Sequence, residues 1–107
     1  MSRVSKPKGV IKLTSTMLNK AIIDANKSVR EFAKLCGVDF AEMECGEKHS
    51  IEAVFSDKSE TVINLYRANN IRGDRRISIK GIKSHAGIGD TVTIRFKGKK
   101  IIVEVQS

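Results

Sequence analysis

The stretch Asp90-Thr-Val-Thr-Ile-Arg-Phe-Lys-Gly-Lys-Lys-Ile-Ile-Val-Glu-Val105 decides the fold class. Val92, Ile94 and Phe96 alternate with Thr91, Thr93, Arg95 and Lys97, the period of a strand with one buried face. Gly98-Lys99 offers a two-residue hairpin turn with glycine first, and Ile101, Val103 and Val105 resume the alternation. Towards the N-terminus the pattern returns. Ile77 and Ile79 alternate with Arg76, Ser78 and Lys80, and Asn69-Asn-Ile-Arg-Gly-Asp74 before them is a loop by composition. Thr61-Val-Ile-Asn-Leu-Tyr66 is rich in β-formers, Ser56-Asp-Lys-Ser59 supplies a turn, and Ile51, Ala53 and Phe55 alternate. Val10-Ile-Lys-Leu-Thr14 reads as a short strand or an extended lead-in.

Only one region carries the helical period. Leu18, Ala21, Ile22, Ala25, Val29, Phe32, Ala33 and Cys36 follow i, i+3, i+4 spacing, with Lys20, Asp24, Lys27, Glu31 and Lys34 opposite. Two readings fit residues 18–36: one helix of about 20 residues, or an extended piece followed by a short helix from Asn26. Ser28-Val-Arg-Glu31 has the form of a capping box, and Gly37 suits the position just past a helix end. The fold class is therefore α+β, mostly antiparallel β, with five clear strands, one or two weaker ones, and helix confined to the N-terminal third. Residues 1–9 read as a basic tail and residues 10–107 as a single domain.

The 107 residues suffice for one core. Lys and Arg number 20 against 12 acids, a net charge of +8, and the surplus is segregated along the chain. Residues 1–12 carry +4, residues 13–62 carry −3 and residues 63–107 carry +7. A basic tail and a basic C-terminal half around an acidic middle form the electrostatic footprint of a protein that meets phosphate backbones. No apolar run exceeds three residues, which excludes a helical membrane span. The basic opening residues precede no apolar stretch, so no secretory signal is expected and the location expected is cytoplasmic.

Catalytic and metal chemistry find little support. Cys36, Cys45, His49 and His85 lack the paired spacing of a zinc site, and the thiols read as reduced bystanders. No acid is followed two residues later by lysine, which counts against the carboxylate–lysine triplet of many nucleases. Gly87-Ile-Gly-Asp90 lacks the further glycine or Lys-Ser/Thr of a phosphate-cradling loop. The expectation is a non-enzymatic protein with no cofactor and no metal.

One constellation stands out. Tyr66-Arg-Ala-Asn-Asn-Ile-Arg-Gly-Asp-Arg-Arg76 sets four guanidinium groups, two amides and the single tyrosine around a strand–loop–strand. Arginine pairs bidentately with phosphate or with guanine, asparagine with adenine, and a two-stranded β element fits a major groove. Lysine would suffice for solubility, so the choice of arginine points to recognition. With few aromatics available for stacking, duplex reading is favoured over single strands. Arg67, Asn69, Asn70, Arg72, Arg75, Arg76 and Lys80 are the candidate contacts.

Leu18-Asn-Lys-Ala-Ile-Ile23 with the helix after it, Tyr66-Arg67, Arg75-Arg-Ile-Ser-Ile-Lys-Gly-Ile82 and Gly89-Asp-Thr-Val-Thr-Ile94 together resemble the B-three-type DNA-binding pseudobarrel. That family occurs in plant transcription factors and in the recognition domains of some restriction endonucleases. The resemblance covers most of residues 11–105. It implies an open barrel of about seven strands that grips duplex DNA with two arms, here residues 13–21 and 66–76. It adds Thr14, Ser15, Asn19 and Lys20 as first-arm contacts. Residues 70–105 are also similar to the swapped-hairpin domain of transition-state regulators and antitoxins, an obligate dimer.

The expected function is thus double-stranded DNA binding, with base readout from the arginine-rich loop and backbone attraction from the tail and C-terminal hairpin. Two other classes use the same features. One is an RNA- or ribosome-associated β protein. The other is a phage or mobile-element factor that grips a protein through Asp39, Glu42, Glu44, Glu47 and Glu52. The sequence leaves monomer and homodimer equally open.

Overall fold

Apolar alternation becomes seven strands in the computed structural model, which describes residues 8–20, 23–69, 73–98 and 100–106. They are β1 (Gly9–Lys12), β2 (Ile23–Asp24), β3 (Lys48–Phe55), β4 (Glu60–Arg67), β5 (Arg75–Ile79), β6 (Thr91–Lys97) and β7 (Lys100–Gln106). The sheet order is β1-β6-β7-β3-β4-β5-β2. Every neighbouring pair is antiparallel except β3 and β7, which run parallel for two residues, Val54 opposite Ile102 and Phe55 opposite Val103. The sheet curls into a half-barrel, so the fold is an α+β open pseudobarrel with two short helices.

The concave face holds the core. Ile11, Ile63, Leu65, Ile77, Val92, Ile94 and Val103 alternate inward and are buried almost completely. Each such side chain contributes about 1.5–3 kcal/mol relative to exposure. Thr61 is the one buried polar side chain among the described residues, and its hydroxyl donates to the Lys80 carbonyl at 2.6 Å.

Residues 18–36 resolve as the second of the two sequence readings. Helix α1 (Ser15–Lys20) is one short stretch, β2 intervenes, and α2 (Lys27–Leu35) follows. The Ser28-to-Glu31 capping box does not form. Asn26 is the N-cap, its Oδ1 accepting the Val29 N–H at 3.0 Å, because the chain is still extended there as it leaves β2. Gly37, with φ +84°, ends α2 as expected. Its N–H donates to the Lys34 carbonyl and that of Val38 to the Ala33 carbonyl, the paired bonds of a Schellman motif.

Helix α2 packs on β1 and β6. Val29, Phe32 and Ala33 face the core, and Phe32 packs on Phe96 with ring centroids 4.9 Å apart. The Val10 N–H donates to the Ser28 hydroxyl at 3.0 Å, and the Asn26 side-chain amide donates to the Val10 carbonyl at 2.8 Å. Just before the helix, the Ala25 N–H donates to the Arg75 carbonyl at 2.9 Å. Ala25 thus continues the β2–β5 register at one edge, and Asn26 and Ser28 bond the edge strand β1 at the other.

Asn26 performs two separable tasks. Asn26→Ala is expected to lose about 1–2 kcal/mol in urea denaturation. Asn26→Asp keeps the acceptor for Val29 but loses the donor to Val10, and its loss should be clearly smaller. Equal losses in the two variants would show that the bond to β1 outweighs the cap.

Candidate nucleic-acid interface

The end of the pseudobarrel where β4 turns into β5 is anchored by Arg67. Its Nη1 donates to the Met43 carbonyl at 2.6 Å and its Nε to the Gly73 carbonyl at 3.1 Å. Its own backbone accepts from Gly46 N–H and donates to the Glu47 carbonyl. The Ala68 N–H donates to the Asp74 carbonyl at 2.7 Å and closes the base of the loop. Gly73 has φ +61°, and a Cβ there would stand 2.8 Å from Arg67 Nε, so glycine is required on both counts. Arg67, a candidate DNA contact, ties together the chain before β3 and the end of the β4–β5 connection through its guanidinium.

The remaining described arginines of this end converge. Arg67, Arg75 and Arg76 line a surface hollow with Asp24, Ala25, Gly73, Asp74 and a residue from α2, Arg30. The β-sheet register explains part of this. Arg67 is opposite Arg75, Tyr66 is opposite Arg76, and Asp24 faces Arg76 from β2. Arg76 Nη2 donates to Asp74 Oδ2 at 3.3 Å, while Arg75 is exposed. Among the described residues neither the Arg30 nor the Arg75 guanidinium has an ion-pair or hydrogen-bond partner. The Nε atoms of Arg30 and Arg76 are shielded from solvent and have no acceptor.

A second hollow adjoins the first. Lys27, Arg30, Glu31 and Lys34 of α2 face Asp39, Phe40 and Ala41 of a single 3₁₀ turn (Phe40–Glu42), with Arg75 completing the wall. The spacing 27, 30, 31, 34 is one stripe of a helix. Across the two hollows six bases stand against four acids.

The other sequence-derived contacts sit elsewhere. Asn69 is exposed beside Gly46 at the arginine end. Asn70 and Arg72 lie outside the described residues, as do residues 1–7 of the basic tail and Lys99 of the hairpin turn. Thr14 caps α1, its hydroxyl accepting the Met17 N–H at 3.2 Å, and Ser15 and Asn19 are exposed on that helix, which ends at Lys20. These four follow β1 where Lys12 is level with Thr91, and Lys80 follows β5. By strand direction all five lie at the opposite strand ends from Arg67 and Arg75. In strand order, the β1–β2 connection and the β4–β5 connection join strands at opposite ends.

Arg95 on β6 is held by Glu104 of β7, and that bond keeps the Glu104 carboxyl below its ordinary range. At the arginine end, Glu47 binds the Glu44 N–H and the His49 ring, which lowers its carboxyl in the same sense. The histidines are engaged locally, His49 with Glu47 and His85 stacked on Phe55 with centroids 3.7 Å apart. Arg30 is the residue that sequence reasoning missed. Lys27 and Lys34 are placed on the polar helix face by the sequence pattern, but Arg30 beside them and its apposition to β5 are not.

If Arg67 is a strut, Arg67→Ala should lower the urea-denaturation stability by about 1–3 kcal/mol, since two carbonyls lose a charged donor. Arg67→Lys should recover only part, because one ammonium cannot reproduce the planar fork. An unchanged midpoint in Arg67→Ala would remove the strut. Neither a family model, a curated protein nor a solved structure matches this chain.

Proposed function

We propose that the chain is a non-enzymatic domain that binds double-stranded DNA at the barrel end formed by α2 and the β4–β5 connection. The observation that carries this reading is the gathering of Arg30, Arg75 and Arg76 around one hollow, two of them without an acidic partner among the described residues. Bringing guanidinium groups together is electrostatically unfavourable, and a polyanion relieves the repulsion. Arginine forks suit phosphate and guanine edges alike. The open seven-stranded pseudobarrel agrees with the fold implied by the resemblance to B-three-type domains, and this supports the assignment.

In this reading the α2 stripe and Arg75 contact the backbone, and Asn69 and Arg76 reach base edges. Thr14, Ser15, Asn19, Lys20 and Lys80, at the other strand ends, contribute only if the duplex extends along the barrel.

Fluorescence anisotropy with a random-sequence duplex across a salt series tests the proposal. The expected result is a linear fall of log K with log salt, with a slope of about −0.9 for each phosphate neutralised and several phosphates in total. Arg76→Ala should cost about 1–3 kcal/mol on a selected site and less on random sequence. Absence of duplex binding at about 50 mM salt, or tighter binding to duplex RNA at matched salt, would overturn the reading.

A further inference from the structure

Arg30 and Arg75 are the two side chains shared by both hollows, so they stand at the divide between them. One comes from α2 and the other from β5, and the bond from Ala25 N–H to the Arg75 carbonyl fixes the segment leading into α2 against β5. We propose that Arg30 and Arg75 clamp a single phosphate group between them, a phosphodiester of the duplex backbone, and that Lys27 and Lys34 guide the same strand along α2. The source of the phosphate rests on the DNA-binding reading; the site itself does not.

The chemistry of the divide favours an anion. Arg30 Nε is shielded, so its guanidinium meets an anion through its Nη donors, while Arg75 is exposed. A guanidinium can offer two parallel donors to one phosphate. The nearby acids leave this role open. Asp39 Oδ1 accepts the Ala41 N–H, Asp74 pairs with Arg76, and Asp24 and Glu31 form no ion pair with either clamp residue. Lys27 and Lys34 are seven residues apart, about 10 Å along the helix axis. That distance covers about three nucleotides at 3.4 Å per step of one strand.

A phosphate clamp carries no sequence information, and this separates it from base readout. Arg30→Ala and Arg75→Ala should each weaken binding equally on two unrelated duplexes and reduce the salt slope by about 0.9. One contact of this kind is worth about eightfold in affinity between 1 M and 0.1 M salt. Arg30→Gln keeps the aliphatic stem and should show the same loss with an unaltered urea midpoint. Lys83→Ala, at the far end, should leave both affinity and slope unchanged.

The direct readout is the Nε–Hε resonance of Arg30 in ¹⁵N NMR, followed while adding first inorganic phosphate and then a short duplex. Movement of that resonance with duplex, together with the uniform losses, supports the clamp on DNA. Movement with phosphate, abolished by Arg75→Ala, in a protein that binds no duplex would keep the clamp as a free-anion site and overturn the DNA reading. Duplex binding with Arg30 unmoved and the variants unimpaired would overturn the clamp and leave the DNA reading standing. No response to either probe would overturn both.

Discussion

An open sheet has two edges, and this fold depends on how those edges are held. β1 and β2 flank a seven-stranded order in which neither can close the barrel by a ladder on the other. Residues 25–28 serve both edges instead, with Ala25 continuing the β2–β5 register, and Asn26 and Ser28 bonded to Val10 on β1. Unpaired edge groups are thereby satisfied by side chains, and an exposed template for association is covered. The same side chain, Asn26, starts α2. One side chain thus both binds the β1 edge and starts the helix.

The candidate site follows from that arrangement. Once α2 is seated on β1 and β6 with Val29, Phe32 and Ala33 inward, its rotation is fixed. The stripe of Lys27, Arg30 and Lys34 then has one direction to face, toward the 3₁₀ turn and the start of β5. Arg67 supports the other wall by holding the Met43 and Gly73 carbonyls with one guanidinium. Arginine suits this post because its planar fork reaches two acceptors in different segments while keeping its charge. One arginine of the cluster is thus structural, and its neighbours remain available to a ligand.

Charge balance in the same region is local and graded. Asp74 engages Arg76, Glu104 holds Arg95, and Glu47 is engaged by the Glu44 N–H and the His49 ring. The basic surplus seen in residues 63–107 is therefore not uniformly free. Among the described residues, the arginines without an ion-pair partner are drawn partly from the acidic middle of the chain, where Arg30 sits among residues with a net negative charge. Segregation along the sequence and segregation in space are different quantities here.

Much of the architecture was determined by the sequence alone, because its causes are local. Period-two alternation at Val92, Ile94, Ile101 and Val103, the glycine-first turn at Gly98, and the helix stop at Gly37 each act within a few residues. The arginine-rich strand–loop–strand was legible for the same reason. Local pattern misplaced the capping residue, because Ser28 and Glu31 match a box while the extended chain leaving β2 makes Asn26 the cap. Three matters were decided only by tertiary structure: the service of Arg67 as a strut, the meeting of Arg30 with Arg75, and the placing of Thr14, Ser15 and Asn19 at the opposite strand ends from Arg67. Each depends on strand order and on helix rotation against the sheet, which are set by which apolar faces bury together across long sequence separations. No pattern within a short window encodes that pairing.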